Sequence, residues 1–183
     1  MTGDPFTCRC VLCHDYGDRA AADRLDLAVI DNVLQHGWHV VMVPEDELGP
    51  GFAYTIGLAH THGAPELAVF GLSDVHAMHA LLNALGRRAA LGASLRDGQH
   101  HQGVADGRQV ALRNADLRWY RTFFGRAISF YRRPPFTVLQ VAWSDAGGRF
   151  HWESPAEQGH RESQPQLWLP PQEHPVGVWT SEL

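Results

Sequence analysis

Cys8-Arg-Cys10-Val-Leu-Cys13-His14 is the densest group of soft metal ligands in the chain: a Cys-x-Cys overlapping a Cys-x-x-Cys, with a histidine directly after it. A Cys-x-x-Cys pair brings two thiolates from one tight turn onto one Zn²⁺, and tetrahedral coordination then needs two more donors. Cys8 supplies a third, and either His14 or a histidine from far along the chain supplies the fourth. Cys10 to His14 also matches the c-type haem attachment pattern literally. The opening Met1-Thr-Gly-Asp-Pro5 carries no basic start and no apolar run of export type, which speaks against haem loading. Redox use of the pair would want a preceding thioredoxin-like strand, which is missing. The bland alternative is a mobile tail whose thiols do nothing.

A second group of candidates lies in Gly51 to Leu72, two β-prone runs joined by a polar connection. Tyr54, Thr55 and Glu66 fall on adjacent predicted strands, where a hydroxyl and a carboxylate can be held near one pocket as an acid/base pair. His60 and His62 in the connection, and His76 and His79 three apart on a following helix, are at workable spacing to add a metal to that pocket. The competing readings are cross-strand packing for Tyr54 and Thr55, a cap or surface ion pair for Glu66, and solvated edge positions for the histidines. Aromatic residues on such a sheet could also take a flavin, although no residue demands one.

What is missing narrows the chemistry further. All fifteen basic residues are arginine, so Schiff-base chemistry, lysine-linked pyridoxal phosphate and a P-loop lysine are excluded. There is no Gly-x-Ser-x-Gly elbow and no His-Glu-x-x-His helix. A formal charge of -5 argues against general binding to nucleic acid or anionic membranes. No stretch approaches the roughly 20 apolar residues that cross a bilayer. The expectation is a cytoplasmic chain whose three thiols stay reduced.

The elements that must position these residues follow from periodicity and punctuation. Leu27, Ile30, Val33 and Leu34 recur at helical spacing between Ala20 and His36, and Gly37 is the expected stop. Trp38 to Val43 reads as a strand, and Pro44 to Pro50 as an acidic turn leading into the Gly51 stretch. Ser73 caps a helix to about Leu85, with Val75, Met78, Leu81, Leu82 and Leu85 as its buried stripe. Gly86 to Gly107 reads as a helix end and a long loop, Gln109 to Asn114 as a strand, and Asp116 caps a helix to about Tyr131. The arginines interleaved on that last helix form a solvated face. Phe136 to Trp143 is a strand, Ser144 to Arg149 a hairpin turn, and Phe150 to Glu153 its return.

This pattern predicts an α+β fold: one domain with a mostly antiparallel sheet, two to three helices packed on one of its faces. Residues 1-17 form a Cys-rich N-terminal segment, 18-153 the α+β domain, and 154-183 a Pro-rich C-terminal extension lying on the domain surface or on a partner.

Several separated pieces resemble one bacterial family, the domain of unknown function 4262. They are the early cysteine pair, His36-Gly37-Trp38, Phe52-Ala-Tyr-Thr-Ile-Gly-Leu58, Pro65-Glu-Leu67 with Phe70-Gly-Leu72, Gln140-Val-Ala-Trp-Ser-Asp145, Gly148-Arg-Phe-His-Trp-Glu153, and Gln164-Pro165. The resemblance implies a Cys-x-x-Cys followed by an aspartate, here Cys10 and Cys13 with His14 before Asp15; Cys8 is additional. Where the family pattern has a proline before Trp152, this chain has His151. No activity comes with the resemblance.

Three functions fit these observations. The first is a cytoplasmic binding or accessory domain holding a zinc at Cys8, Cys10, Cys13 and His14 or a distant histidine, with the loop around His60, His62 and Glu66 as a recognition surface. The second is a metal- or flavin-assisted enzyme with its pocket at Tyr54, Thr55 and Glu66. The third is a toxin-immunity type of protein-interaction module, in which the acidic Pro44 to Pro50 turn would meet a protein partner.

Overall fold

The computed structural model describes residues 8–105, 107–132, 136–154 and 158–180. Its elements in chain order are α1 (Arg24–His36), β1 (His39–Val43), β2 (Phe52–Ile56), α2 (Leu58–His62), β3 (Glu66–Phe70), α3 (Val75–Ala90), β4 (His100–Ala105), β5 (Arg108–Asn114), α4 (Tyr120–Phe123), α5 (Gly125–Tyr131), β6 (Val138–Trp143) and α6 (Gln158–Ser163).

One six-stranded sheet runs in the order β1-β2-β3-β6-β5-β4. Every neighbouring pair is antiparallel except β3 and β6, which meet in parallel with Glu66 opposite Val138. The fold is therefore α+β and a single domain, as the pattern predicts. The parallel pair sits in the middle, and every residue of both strands is buried. That explains their near-continuous apolar runs, because strands covered on both faces cannot alternate with polar residues.

The expectation of helices on one face is corrected. Met78, Leu81, Leu82 and Leu85 of α3 pack on Ala53, Leu67, Val69, Leu139 and Val141 on one side of the sheet. Val29 and Val33 of α1, with Trp119, Tyr120, Phe124, Ala127 and Phe130 of the α4–α5 region, pack on Tyr54, Ile56, Ala68, Phe70 and Val138 on the other. The helix around Asp116 is broken into a 3-10 turn, α4 and α5 by the non-helical backbone of Phe124 (φ −115°, ψ 34°).

Local signals hold at several caps. The Asp23 side chain accepts from the Asp26 N–H, and Gly37 ends α1 at φ 89°. Asp74, one residue past the predicted Ser73, caps α3 by accepting from the His76 N–H. Gly86 does not stop α3. A Cβ there would lie 3.0 Å from two ring carbons of Trp38, so this glycine serves close packing inside a helix that runs to Ala90. The predicted long loop then contains β4. On α1, Leu27 and Leu34 remain 47% and 67% exposed, while Val29 and Val33 make the buried contact.

Phe150 to Glu153 is not a return strand. The Asp145 turn forms, with its N–H donating to the Arg149 carbonyl, but β6 already has partners on both edges. The Gln164 side-chain amide pairs instead with the backbone N–H and C=O of Trp143, at 3.0 and 2.9 Å. Gln140, buried in β6, holds Pro165 and Leu167 in the same way, and Leu167 is fully buried. This part of the C-terminal extension belongs to the core.

Candidate metal centre

Two short local structures meet to build the site. The first is the cysteine turn, in which the N–H groups of Cys13 and His14 both donate to the Cys10 carbonyl at 3.0 Å. Backbone N–H groups of Leu12 and Cys13 also point at the Cys10 sulfur. The Val11 N–H donates to the Phe130 carbonyl, which ties the turn to α5. The second is α2, one helical turn set between Gly57 (φ 117°) and Gly63 (φ 61°), both left-handed. A Cβ on Gly57 would press within 3.0 Å of the Val33 side chain and the Gly37 and Trp38 backbone, so glycine is required there.

His60 of α2 faces all three thiols. Its Nδ1 lies 3.7 Å from Cys8 Sγ, 3.3 Å from Cys10 Sγ and 3.4 Å from Cys13 Sγ, and the four ligand atoms all lie within 4.8 Å of one another. One imidazole nitrogen cannot hydrogen-bond three thiols at once. A tetrahedral ion with metal–sulfur bonds near 2.3 Å and a metal–nitrogen bond near 2.0 Å would instead set each sulfur–nitrogen edge at about 3.5 Å. The three distances bracket that value. This Cys₃His group could hold a metal ion, and it is the only such cluster among the described residues.

Burial pushes the Cys10 thiol up to about 12, with the neighbouring Cys8 thiol adding to the effect, and raises Cys13; it lowers His60. Without a cation Cys10 holds its proton at neutral pH, and Cys13 and His60 are shifted toward their neutral forms. A metal must displace the thiol protons, so uptake weakens as pH falls.

Glu66 supports the histidine side of the site. It is buried, and its carboxylate accepts from the Thr55 hydroxyl (2.6 Å), the Gly57 and Ala59 N–H groups (both 3.0 Å) and the Tyr131 hydroxyl. Tyr131 in turn accepts from the Gly57 N–H, and Thr55 from the Leu67 N–H. Burial raises the pKa of both Glu66 and Tyr131, against the donors that favour the carboxylate. This network fixes the start of α2 and joins it to the end of α5, the helix on which the cysteine turn is hung. Both ligand-bearing segments are thus referred to the same buried carboxylate.

Of the residues singled out in the sequence, the structure brings Cys8, Cys10, Cys13 and His60 together. His14 lies outside the group, exposed, with its ring 6.2 Å from Tyr16. His62 is exposed, 6.0 Å from the Trp38 ring. His76 and His79 are exposed on α3, and Asn83 joins His79 (3.2 Å) to the Trp38 indole (2.9 Å). Thr55 and Glu66 do share a hydrogen bond, in a spot closed to solvent. Tyr54 is buried against Phe124, its phenol pushed up to about 12 by burial. Tyr131, at the end of the helix predicted from Asp116, joins the site through its hydroxyl, a role with no signal in the sequence.

Fold and site together define a small α+β protein with a four-ligand Cys₃His group between its N-terminal segment and its sheet. The chain belongs to the domain of unknown function 4262 family (DUF4262), whose model matches residues 32–157. His60, Glu66 and Tyr131 lie inside the matched segment, and the three cysteines precede it. Neither the curated proteins nor the solved structures give a match to the chain.

Proposed function

We propose that this protein is a binding or accessory domain in which Cys8, Cys10, Cys13 and His60 hold one zinc ion, which clamps the N-terminal segment onto the sheet domain. The observation that carries this reading is the convergence of His60 on three sulfurs from some fifty residues away, at the edge lengths of a tetrahedral ion. A thiolate-rich S₃N donor set favours zinc over hard, oxygen-seeking cations. Four protein ligands leave no open position for substrate, so the role is structural. A reducing compartment such as the cytoplasm would keep the three free thiols available.

Element analysis of protein purified without an affinity tag tests this directly. One zinc per chain is expected, lost in Cys10→Ser/Cys13→Ser and in His60→Ala, and kept in His14→Ala. Zinc retained in His60→Ala but lost in His14→Ala would reassign the fourth ligand; no zinc at all in the wild type, after refolding with excess zinc, would end the proposal.

A further inference from the structure

A groove of about 430 Å³ lies between the turn joining β1 to β2 and the C-terminal segment, and none of the four metal ligands lines it. Its apolar wall is Phe52 of β2 and Phe123 of α4, edge to face at 5.4 Å, with Trp179 6.0 Å from Phe123. Trp179 is anchored: its indole N–H donates to the Glu162 carbonyl at 3.0 Å, and its ring abuts Phe70 at 5.5 Å. The opposite wall is the turn at 44–50. There Asp46 Oδ1 accepts from the N–H groups of Leu48 (2.8 Å) and Gly49 (3.3 Å), and the Asp46 N–H donates to the Gly49 carbonyl.

This arrangement holds apolar side chains in water at one place. Leu48 is 66% exposed on that braced turn and lines the groove together with Val178, which is 46% exposed. Scattered exposed hydrophobics are ordinary, but two that converge on an aromatic-walled hollow of ligand-binding size mark a contact surface. Its one charged lining residue, Asp46, is acidic, and so are both of that residue's neighbours in the turn. Glu45, Asp46 and Glu47 occupy the turn with no basic residue among them, and none of the lining residues is basic. A smaller hollow of about 170 Å³ beside the cysteine turn differs in this respect, because its arginines are matched by Asp26 and Asp18 at 2.9 and 2.7 Å and leave no charge unanswered.

We infer that the groove docks a peptide segment of a protein partner, one that seats a bulky apolar side chain over Phe52, Phe123 and Trp179 and flanks it with arginine or lysine facing Glu45, Asp46 and Glu47. The apolar anchor supplies the binding, and the acidic turn selects for cationic partners and speeds their capture. The inference does not depend on the metal.

The test is an NMR titration of the isotope-labelled, zinc-supplemented full chain with the blocked hexapeptide Arg-Arg-Leu-Phe-Arg-Arg. Two control peptides, Glu-Glu-Leu-Phe-Glu-Glu and Arg-Arg-Gly-Gly-Arg-Arg, separate charge from anchor. Saturable shifts are expected at the amides of Leu48, Gly49, Phe52, Phe123 and Val178, with both controls weaker by about tenfold or more. Glu45→Lys/Glu47→Lys should cost about tenfold in affinity, and added salt should weaken binding. Leu48→Ser, an exposed substitution that leaves the charge unchanged, should lower affinity as well. Shifts absent at low-millimolar peptide, or located elsewhere, or equal affinity for the glutamate or glycine control, would overturn the proposal.

Discussion

Replacing Glu66 distinguishes a structural carboxylate from a catalytic one. In Glu66→Ala the Gly57 N–H keeps the Tyr131 hydroxyl as acceptor, but the Ala59 N–H and the hydroxyls of Thr55 and Tyr131 lose theirs inside the protein. Each buried group left without a partner costs about 1–3 kcal/mol, so the loss is about 3–9 kcal/mol before any cavity is counted. Against a typical total stability of about 5–15 kcal/mol, that leaves the variant marginal or unfolded. Glu66→Gln keeps an oxygen for Gly57, Ala59 and Tyr131 and turns an amide toward Thr55. It forfeits about one hydrogen bond and relieves the burial of a charge, for a net cost of about 1–2 kcal/mol. Urea unfolding of zinc-supplemented protein, followed by far-UV circular dichroism, reads both values. A Glu66→Ala variant that folds within about 1 kcal/mol of wild type would refute the role assigned to this carboxylate.

Other consequences follow from single contacts. His151 is buried beside His160, Trp152 and Trp168, and burial lowers it to about 3, with the neighbouring His160 and His174 pushing the same way. A folded-state value below the unfolded 6.5 means stability is complete above pH 6.5 and falls as the pH drops toward 3. At pH 5 the loss is about 2 kcal/mol, and His151→Phe should remove that slope relative to wild type; a parallel slope in both proteins would contradict it. Gly71 sits at φ 74°, where a Cβ would come within 1.9 Å of the Ser163 carbonyl oxygen. Gly71→Ala should therefore cost about 2–5 kcal/mol or detach the segment around α6, seen as faster proteolysis C-terminal to β6 with the sheet intact. Chelation of zinc should loosen the cysteine turn while the sheet stays folded, because without metal the turn is held by the Val11–Phe130 hydrogen bond and the packing of Cys10, Val11 and Leu12 on the core, whereas β3 and β6 are paired on both edges. Hydrogen exchange would then rise at residues 8–14 and not in β3 or β6.

The strands were legible in the sequence because Phe52 to Ile56, Glu66 to Phe70 and Val138 to Trp143 are short apolar runs bounded by turn residues. Their order was not. Sequence adjacency suggested that Phe150 to Glu153 would pair with β6, whereas β6 inserts between β3 and β5, and both of its edges are used. The same limit explains Gly86, which reads as a helix stop until the Trp38 ring is seen against it. At the site, the three sulfurs were legible because they share one short stretch, while the nitrogen was ambiguous among twelve histidines. His14 had proximity in sequence in its favour, and His60 had only the fold.

The choice of His60 over His14 has a physical consequence. A centre made from residues 8, 10, 13 and 14 would close a small loop and order nothing beyond it. With His60 as the fourth ligand, the metal joins residues 8–13 to the connection between β2 and β3, spanning some fifty residues and crossing α1, β1 and β2. A cross-link of that length removes more freedom from the unfolded chain than a local one, though only logarithmically with loop length. Its larger effect is geometric. Glu66 holds Gly57 and Ala59 of the His60 turn and, through Tyr131, the end of α5, and the Phe130 carbonyl of α5 holds Val11 of the cysteine turn. The packed sheet thereby fixes the nitrogen donor and gives the cysteine turn a backbone anchor beside it, so less ordering remains to be done on binding. His60→Ala should therefore lose zinc while the Glu66 network persists, with Tyr131 still protected in hydrogen exchange. Glu66→Gln should keep zinc but bind it less tightly, by about 10-fold at most, in competition with a chromogenic chelator. Loss of zinc in Glu66→Gln as complete as in His60→Ala would mean that the carboxylate does more for the ion than position its histidine.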